Sequence, residues 1–303
     1  MPARSERHRH SINAPASQPT SIIVRQVFLP LIIPPDTVIP IEPRPARRFV
    51  DLSVPLENDA GWAPWWARTR VVRRGHRVGA WVMRLLFGVG GGELRDGLGW
   101  ANDHISLSTH GTTHLDAPWH YGPRCEGESA KTIDQVPLDW CYASGVKLDV
   151  RHLEEGRAVG VDDLKAALAR IPHTVQPGEI VLIQTGNDRF WGQREYFTRG
   201  VGMSAAATRW IVEQGVKVAG IDSWGWDVPL PEAARAVKRG KGREPFWAAH
   251  YAGIDHEYCH LERLTNLDQL PAVGFTVCCF PLKVRGGSAG PARVVAILNE
   301  RAA

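Results

Sequence analysis

Three histidines and an aspartate crowd into eleven residues of this 303-residue chain: His110, His114, Asp116 and His120, within Ser106-Leu-Ser-Thr-His-Gly-Thr-Thr-His-Leu-Asp-Ala-Pro-Trp-His120. Imidazole nitrogens beside a carboxylate form the donor set that suits Zn²⁺ or Mn²⁺. Their even spacing would put all four on one side of an extended strand. At ~3.3 Å per residue, however, His110 and His114 would stand about 13 Å apart, too far to share an ion. The chain must therefore bend between them. Gly111 permits a bend, whereas the Gly-Thr-Thr run and Pro118 disfavour a helix, the other way to bring i and i+4 together.

A divalent ion with three protein ligands keeps a position for water and lowers its pKa from ~15.7 toward ~7. Such a site would direct that water at a carbonyl carbon polarised by the same ion. No G-x-S-x-G elbow is present, and Ser106, Ser108 and Thr109 lack a convincing adjacent base. The five cysteines, Cys125, Cys141, Cys259, Cys278 and Cys279, lack C-x-x-C spacing. They read as buried thiols of a reducing, cytoplasmic compartment.

The elements that position the motif are legible from residue 49 onward. Residues 1–48 hold nine of the 22 prolines and no tryptophan, and read as a mobile extension, either an over-long start or an arm clasping a neighbouring subunit. A signal peptide is disfavoured because proline breaks the apolar stretch Phe28–Pro35. Seven arginines against three acids in that segment carry the whole formal charge of +4, so the body from Phe49 is neutral. Without a basic stripe nucleic acid is excluded as the main partner, and no apolar run approaches a bilayer span.

Phe49–Pro55 alternates like a strand. The Trp- and Gly-rich stretch that follows, through Gly99, shows no periodicity and is expected to form long loops. Val146–Val150, Glu179–Gln184, Val216–Ile221, Gly274–Phe280 and Arg293–Leu298 read as strands. Val161–Ile171 and Ser204–Gln214 read as helices, the second capped by Ser204 and closed by Gly215. The pattern predicts a single α/β domain over 49–303 with a mixed β-sheet and flanking helices.

The segment His110-Gly-Thr-Thr-His114-Leu-Asp116-Ala-Pro118-Trp-His120 resembles the H-x-G-T-H-x-D-x-P-x-H pattern of the cyclase-like metal-dependent hydrolases, a family that includes bacterial kynurenine formamidases and isatin hydrolases. The resemblance extends over roughly 49–300, including Asp51-Leu-Ser-Val-Pro-Leu-Glu57, Gly220-Ile-Asp-Ser223, Phe280-Pro-Leu-Lys283, and His250 followed by Glu262. It implies a swivelling β/β/α-type fold and a homodimer or larger homo-oligomer. It further implies that His110, His114 and Asp116 bind a first divalent ion, that Asp116, His250 and Glu262 bind a second, with Asp116 bridging, and that His120 is the acid/base.

The residues alone do not choose among His250, His256 and His260 for the distal half. The family usually has glycine where Thr112 stands, so either Gly111 absorbs the bend or the loop is distorted.

The activity so implied is hydrolysis of an amide or cyclic amide, an aryl formamide or isatin-like lactam, to a carboxylate. The alternatives are a lactone hydrolase, a lyase or cyclase on the same site, and a metal-loaded binding protein. Of the 12 tryptophans, Trp119, Trp224 and Trp226 are the candidates for walls around a small aromatic or cyclic substrate.

Overall fold

Nine strands form one mixed sheet: β1 (Arg47–Asp51), β2 (His114–Asp116), β3 (Tyr142–Asp149), β4 (Ile180–Gln184), β5 (Val218–Ile221), β6 (Cys259–Glu262), β7 (Phe275–Cys278), β8 (Ala289–Pro291) and β9 (Val295–Asn299). The structure, a computed structural model, describes residues 47–59, 61–240 and 246–299. Strand order is β1-β9-β7-β3-β4-β5-β6-β2-β8. The central β3-β4-β5-β6 block is parallel, and every other pairing is antiparallel.

Sequence dictates this division. All five residues of β4, Ile180-Val-Leu-Ile-Gln184, are apolar or buried, as a parallel strand covered on both faces requires. Ile180 and Leu182 join one core with Leu115, Leu261 and Val277. Val181 and Ile183 point the other way, into a core completed by helices α3 (Val161–Leu168) and α5 (Ala205–Glu213). Ser204 caps α5, its hydroxyl accepting from the Ala207 N–H at 3.1 Å.

The remaining helices are α1 (His76–Phe87), α2 (Pro118–Tyr121), α4 (Glu195–Thr198), α6 (Leu230–Lys238) and α7 (Ala248–Asp255). Helix α1 corrects the expectation of loops throughout the Trp- and Gly-rich stretch. It is amphipathic, but Trp81, Leu85, Leu86 and Phe87 of its apolar side face solvent. The Pro-rich extension lies outside the described residues, except for Arg47 and Arg48, which pair with β9.

Period-two alternation fixes which face carries the chemistry. Leu115 and Leu261 enter the first core. Their neighbours His114, Asp116, His260 and Glu262 therefore project to the opposite face, where α2 and α7 lie against each other.

Candidate metal centre

Antiparallel pairing of β2 with β6 sets His260 directly opposite Asp116, and Glu262 opposite His114. Cross-strand neighbours on one face have Cβ atoms only ~4.5–5.5 Å apart, so this register alone assembles four donors. The bend brings the fifth. Gly111 N–H bonds the Ser108 carbonyl at 2.8 Å, and the turn returns His110 to within 2.9 Å of Asp116, Nδ1 to Oδ1.

Neither Gly111 nor Thr112 adopts a left-handed conformation. Glycine at 111 suits the close approach of the turn, since a Cβ there would meet the Ser108 carbonyl oxygen at 3.0 Å, a tight contact. The bend expected at Gly111 is present, and Thr112 fits it without strain.

Pro118 then occupies the first turn of α2, and one helical turn points His120 back at the strand it left, Nε2 3.7 Å from Asp116 Oδ2. Helix α7 supplies His250. Its Nε2 stands 3.4 Å from Glu262 Oε1 and 3.9 Å from Asp116 Oδ2. The structure thus gathers His110, His114, Asp116, His120, His250 and Glu262, all the metal and acid/base candidates, into one cluster.

Second partners fix the tautomers. His114 Nδ1 lies 2.6 Å from the Thr112 carbonyl, which can only accept, so the proton sits on Nδ1 and Nε2 carries a lone pair. His250 Nδ1 bonds Asp227 Oδ2 at 2.5 Å, so a proton sits on its Nδ1 as well. Asp227 also accepts from the backbone N–H groups of Ala249 (2.9 Å) and His250 (3.1 Å), capping α7 while orienting its imidazole. His110 Nε2 meets the Ser288 hydroxyl at 2.9 Å, leaving Nδ1 toward Asp116. Acceptors behind ligating imidazoles raise their basicity and aim them.

Asp116 and Glu262 are buried carboxylates, a costly state without a compensating charge. Among the described residues, both Asp116 oxygens, His114 Nε2 and His260 Nε2 are buried without hydrogen-bond partners. Donors that stand 3–4 Å apart and yet do not bond one another fit a shared cation at about 2.0–2.2 Å from each. By donor type, burial and orphaned atoms the residues present fit a divalent ion. Two groupings are compact enough: Asp116 with His250, His260 and Glu262, and Asp116 with His110 and His120. His114 Nε2 lies 3.2 Å from Asp116 Oδ1 and 3.5 Å from Glu262 Oε2, between them.

The electrostatics follow from burial against charge. Burial opposes ionisation of Asp116, but His110, His120 and His114 outweigh it and hold the carboxyl well below its usual range. Glu262 is held low in the same way, by His250 and His260. Burial also pushes His250 down, and the Asp227 and Glu262 carboxylates more than reverse this, to about 9. His120 falls to about 4: burial dominates, His110 and His250 add to it, and Asp116 opposes. At neutral pH His120 is therefore an uncharged imidazole with a free lone pair.

A cavity of about 350 Å³ opens on this cluster, with His110, His120, His250 and Glu262 at its base and Trp66, Phe197, Trp224, Phe246 and Trp247 in its walls. Of the three predicted walls, Trp224 lines the cavity. Trp119 is half exposed on α2, and Trp226 is fully buried behind the cluster, stacked on His260 at 4.9 Å. Neither lines the cavity, so both wall assignments are corrected. Trp66 and Trp247 take that place.

Sequence reasoning missed Asp227 and left His260 unchosen. The signal for His260 was its position two residues before Glu262, which on a strand means the same face. His256 follows the last residue of α7 and belongs to neither ion-holding grouping.

A family model described as "Putative cyclase" matches residues 50–228. The chain is 28% identical over 196 residues to a kynurenine formamidase of Erythrobacter litoralis, covering 65% of this chain and 76% of that one. To an isatin hydrolase of Roseibium aggregatum it is 27% identical over 218 residues, covering 67% and 77%. A crystal structure of an isatin hydrolase bound to the product analogue thioisatinate superposes with a TM-score of 0.65 at 21% identity, covering 84% of this chain and 93% of that chain. This likeness shows a shared fold. The family match includes His110, His114, Asp116, His120 and Asp227, and ends before His250, His260 and Glu262.

Proposed function

The chain belongs to the cyclase family, and from that premise we propose that it is a metal-dependent hydrolase that opens an aryl formamide or an isatin-like lactam to a carboxylate and an amine. The observation that carries this reading is the convergence of orphaned imidazole and carboxylate atoms at the base of an aromatic cavity. The kynurenine formamidase and isatin hydrolase relatives support the choice of a carbon–nitrogen bond.

His110, His114, Asp116, His250 and Glu262 would hold the ion or ions, and the mixed nitrogen and oxygen donors suit Zn²⁺ or Mn²⁺. When bound, a divalent ion supplies Lewis acidity, which acidifies water and polarises a carbonyl. The remaining work belongs to the chain. His120, uncharged and at the cavity base, accepts the proton released as water adds to the carbonyl carbon, then returns it to the departing nitrogen. Its ring is fixed between His110 at 4.1 Å and the edge of Trp247 at 5.0 Å, so the proton moves at a defined place. Trp224, Trp66 and Phe197 offer faces and edges to an aromatic substrate and exclude bulk water.

We further assign the protein to the cytoplasm and to a homo-oligomer. The first rests on five free cysteines, the second on the exposed apolar side of α1. No described helix is long and apolar enough to cross a membrane.

Turnover of N-formylaniline or isatin in ¹⁸O-labelled water tests the reaction. The product carboxylate (formate or isatinate) is expected to carry one labelled oxygen. Turnover without label would replace hydrolysis by lyase or cyclase chemistry.

A further inference from the structure

We infer that His260 is a fourth protein donor to the ion position of Asp116, His250 and Glu262, and that this makes the two ion positions of the centre unequal. This rests on the metal-dependent reading above.

His260 Nε2 lies 3.0 Å from Asp116 Oδ2 and 3.3 Å from Glu262 Oε1. His250 Nε2 lies 3.4 Å and 3.9 Å from Glu262 Oε1 and Asp116 Oδ2. Four donors each ~2.0–2.1 Å from a zinc ion would be about 3.3–3.4 Å apart in a tetrahedron, so these separations fit a four-coordinate ion. A histidine that merely oriented Asp116 would aim an N–H at it. At 3.0 Å His260 Nε2 makes no hydrogen bond to either carboxylate, and it is one of the orphaned buried atoms.

The ring cannot turn away. Its Nδ1 meets the hydroxyls of Tyr121 at 3.2 Å and Tyr258 at 3.1 Å, and the Trp226 indole stacks on its face with the planes 9° apart. With Nε2 given to an ion, Nδ1–H donates to a tyrosine oxygen, the outer contact that ligating histidines usually make.

His260 is fully buried and absent from the cavity wall, so contact with substrate is not its role. The other position has three donors, His110 Nδ1, His114 Nε2 and Asp116 Oδ1; both positions border the cavity, this one through His110 and the first through His250 and Glu262, so donor number is what separates them. Closed four-donor sites hold structure and balance charge, whereas three-donor sites keep a place for water or substrate. The geometry therefore divides the labour: the His260 position fills first and stays filled, and the His110–His114 position does the chemistry.

The test is titration of the metal-stripped full-length protein with Co²⁺, followed by visible absorption, and with Zn²⁺ against a chromophoric chelator. Wild type is expected to take two ions, the first equivalent of Co²⁺ giving the intense bands of tetrahedral coordination and the second weaker bands. His260→Gln should weaken the tighter ion by roughly 10²-fold or more, since losing a ligand exceeds the ~10–100-fold cost of losing an outer partner, while leaving the weaker ion in place. The wild-type Co²⁺ spectrum stands as an independent readout if His260→Gln does not fold: a first equivalent without tetrahedral bands overturns the inference. So do unchanged affinities for both ions in His260→Gln, and in that case the hydrolase reading survives. Wild type that binds no divalent ion would overturn both.

Discussion

Replacing Asp227 by Asn probes how far the centre depends on groups that touch no ion. Asp227 Oδ2 serves His250 Nδ1 and N–H, and Oδ1 serves the Ala249 N–H. An amide has one acceptor oxygen. If it faces His250, an NH₂ opposes the Ala249 N–H. If it faces Ala249, the NH₂ opposes His250 Nδ1 and drives the ring proton to Nε2, where an ion would bind. The first arrangement costs the metal-free fold about 1–2 kcal/mol, as a lost helix cap does. Either weakens metal binding, because the carboxylate that made the imidazole a stronger base is gone. Losing such a partner lowers affinity ~10–100-fold, about 1.4–2.7 kcal/mol. Competition titration with Zn²⁺ and a chromophoric chelator, beside urea unfolding of the stripped proteins, separates the two effects. An Asp227→Asn protein whose zinc affinity stays within about twofold of wild type would refute the reasoning.

His120→Ala is expected to keep wild-type metal content and lose roughly 10²-fold or more in turnover, read by metal analysis and steady-state kinetics; lost metal would make His120 a ligand instead. Gly202→Ala should destabilise the fold by about 1–3 kcal/mol and weaken metal binding, because its Cβ would overlap the Asp227 carbonyl. A thermal melt and the same chelator titration check this, and intact affinity in a destabilised variant would break the link to Asp227.

Asp222 gives a pH dependence. Burial, then the charge of Asp188, raise it from 3.8 to about 7, against hydrogen bonds from Thr185 and Gly186. The folded state therefore holds this proton more tightly than the unfolded chain. Its contribution to stability is full below about 4 and is lost as pH rises through about 7, by up to about 4 kcal/mol at ~1.4 per unit. Urea midpoints at pH 5 and 8 should differ less in Asp222→Asn than in wild type; equal slopes would show that Asp222 does not carry the effect.

The proximal half of the centre was legible because its donors lie within one bend and one helical turn, where spacing limits geometry. His110, His114, Asp116 and His120 needed only Gly111 and Pro118 to be placed. The distal half was legible only through resemblance, since His250 sits on α7 and Glu262 on β6, and nothing local joins them. His260 needed the pairing partner of β6, a non-local fact, and Asp227 needed to be seen as a cap for a helix that begins twenty-one residues later. The parallel strands announced themselves by unbroken apolar runs such as Ile180–Ile183. Helix α1 did not, because its apolar side meets no core and its flanking glycines read as loop. Trp226 shows the limit of composition: a large ring near a site serves as readily to brace a ligand as to greet a substrate.

The β2–β6 pairing has a consequence for assembly of the chain. Side chains alternate with a period of two, so slipping one strand by a single residue would swap His260 and Glu262 for Leu261 and its neighbours, and bury the charged set in aliphatic surroundings. Ion capture is thereby a checksum on strand alignment: only correctly threaded molecules can retain metal, and the ion, once held, rivets the two strands in that alignment.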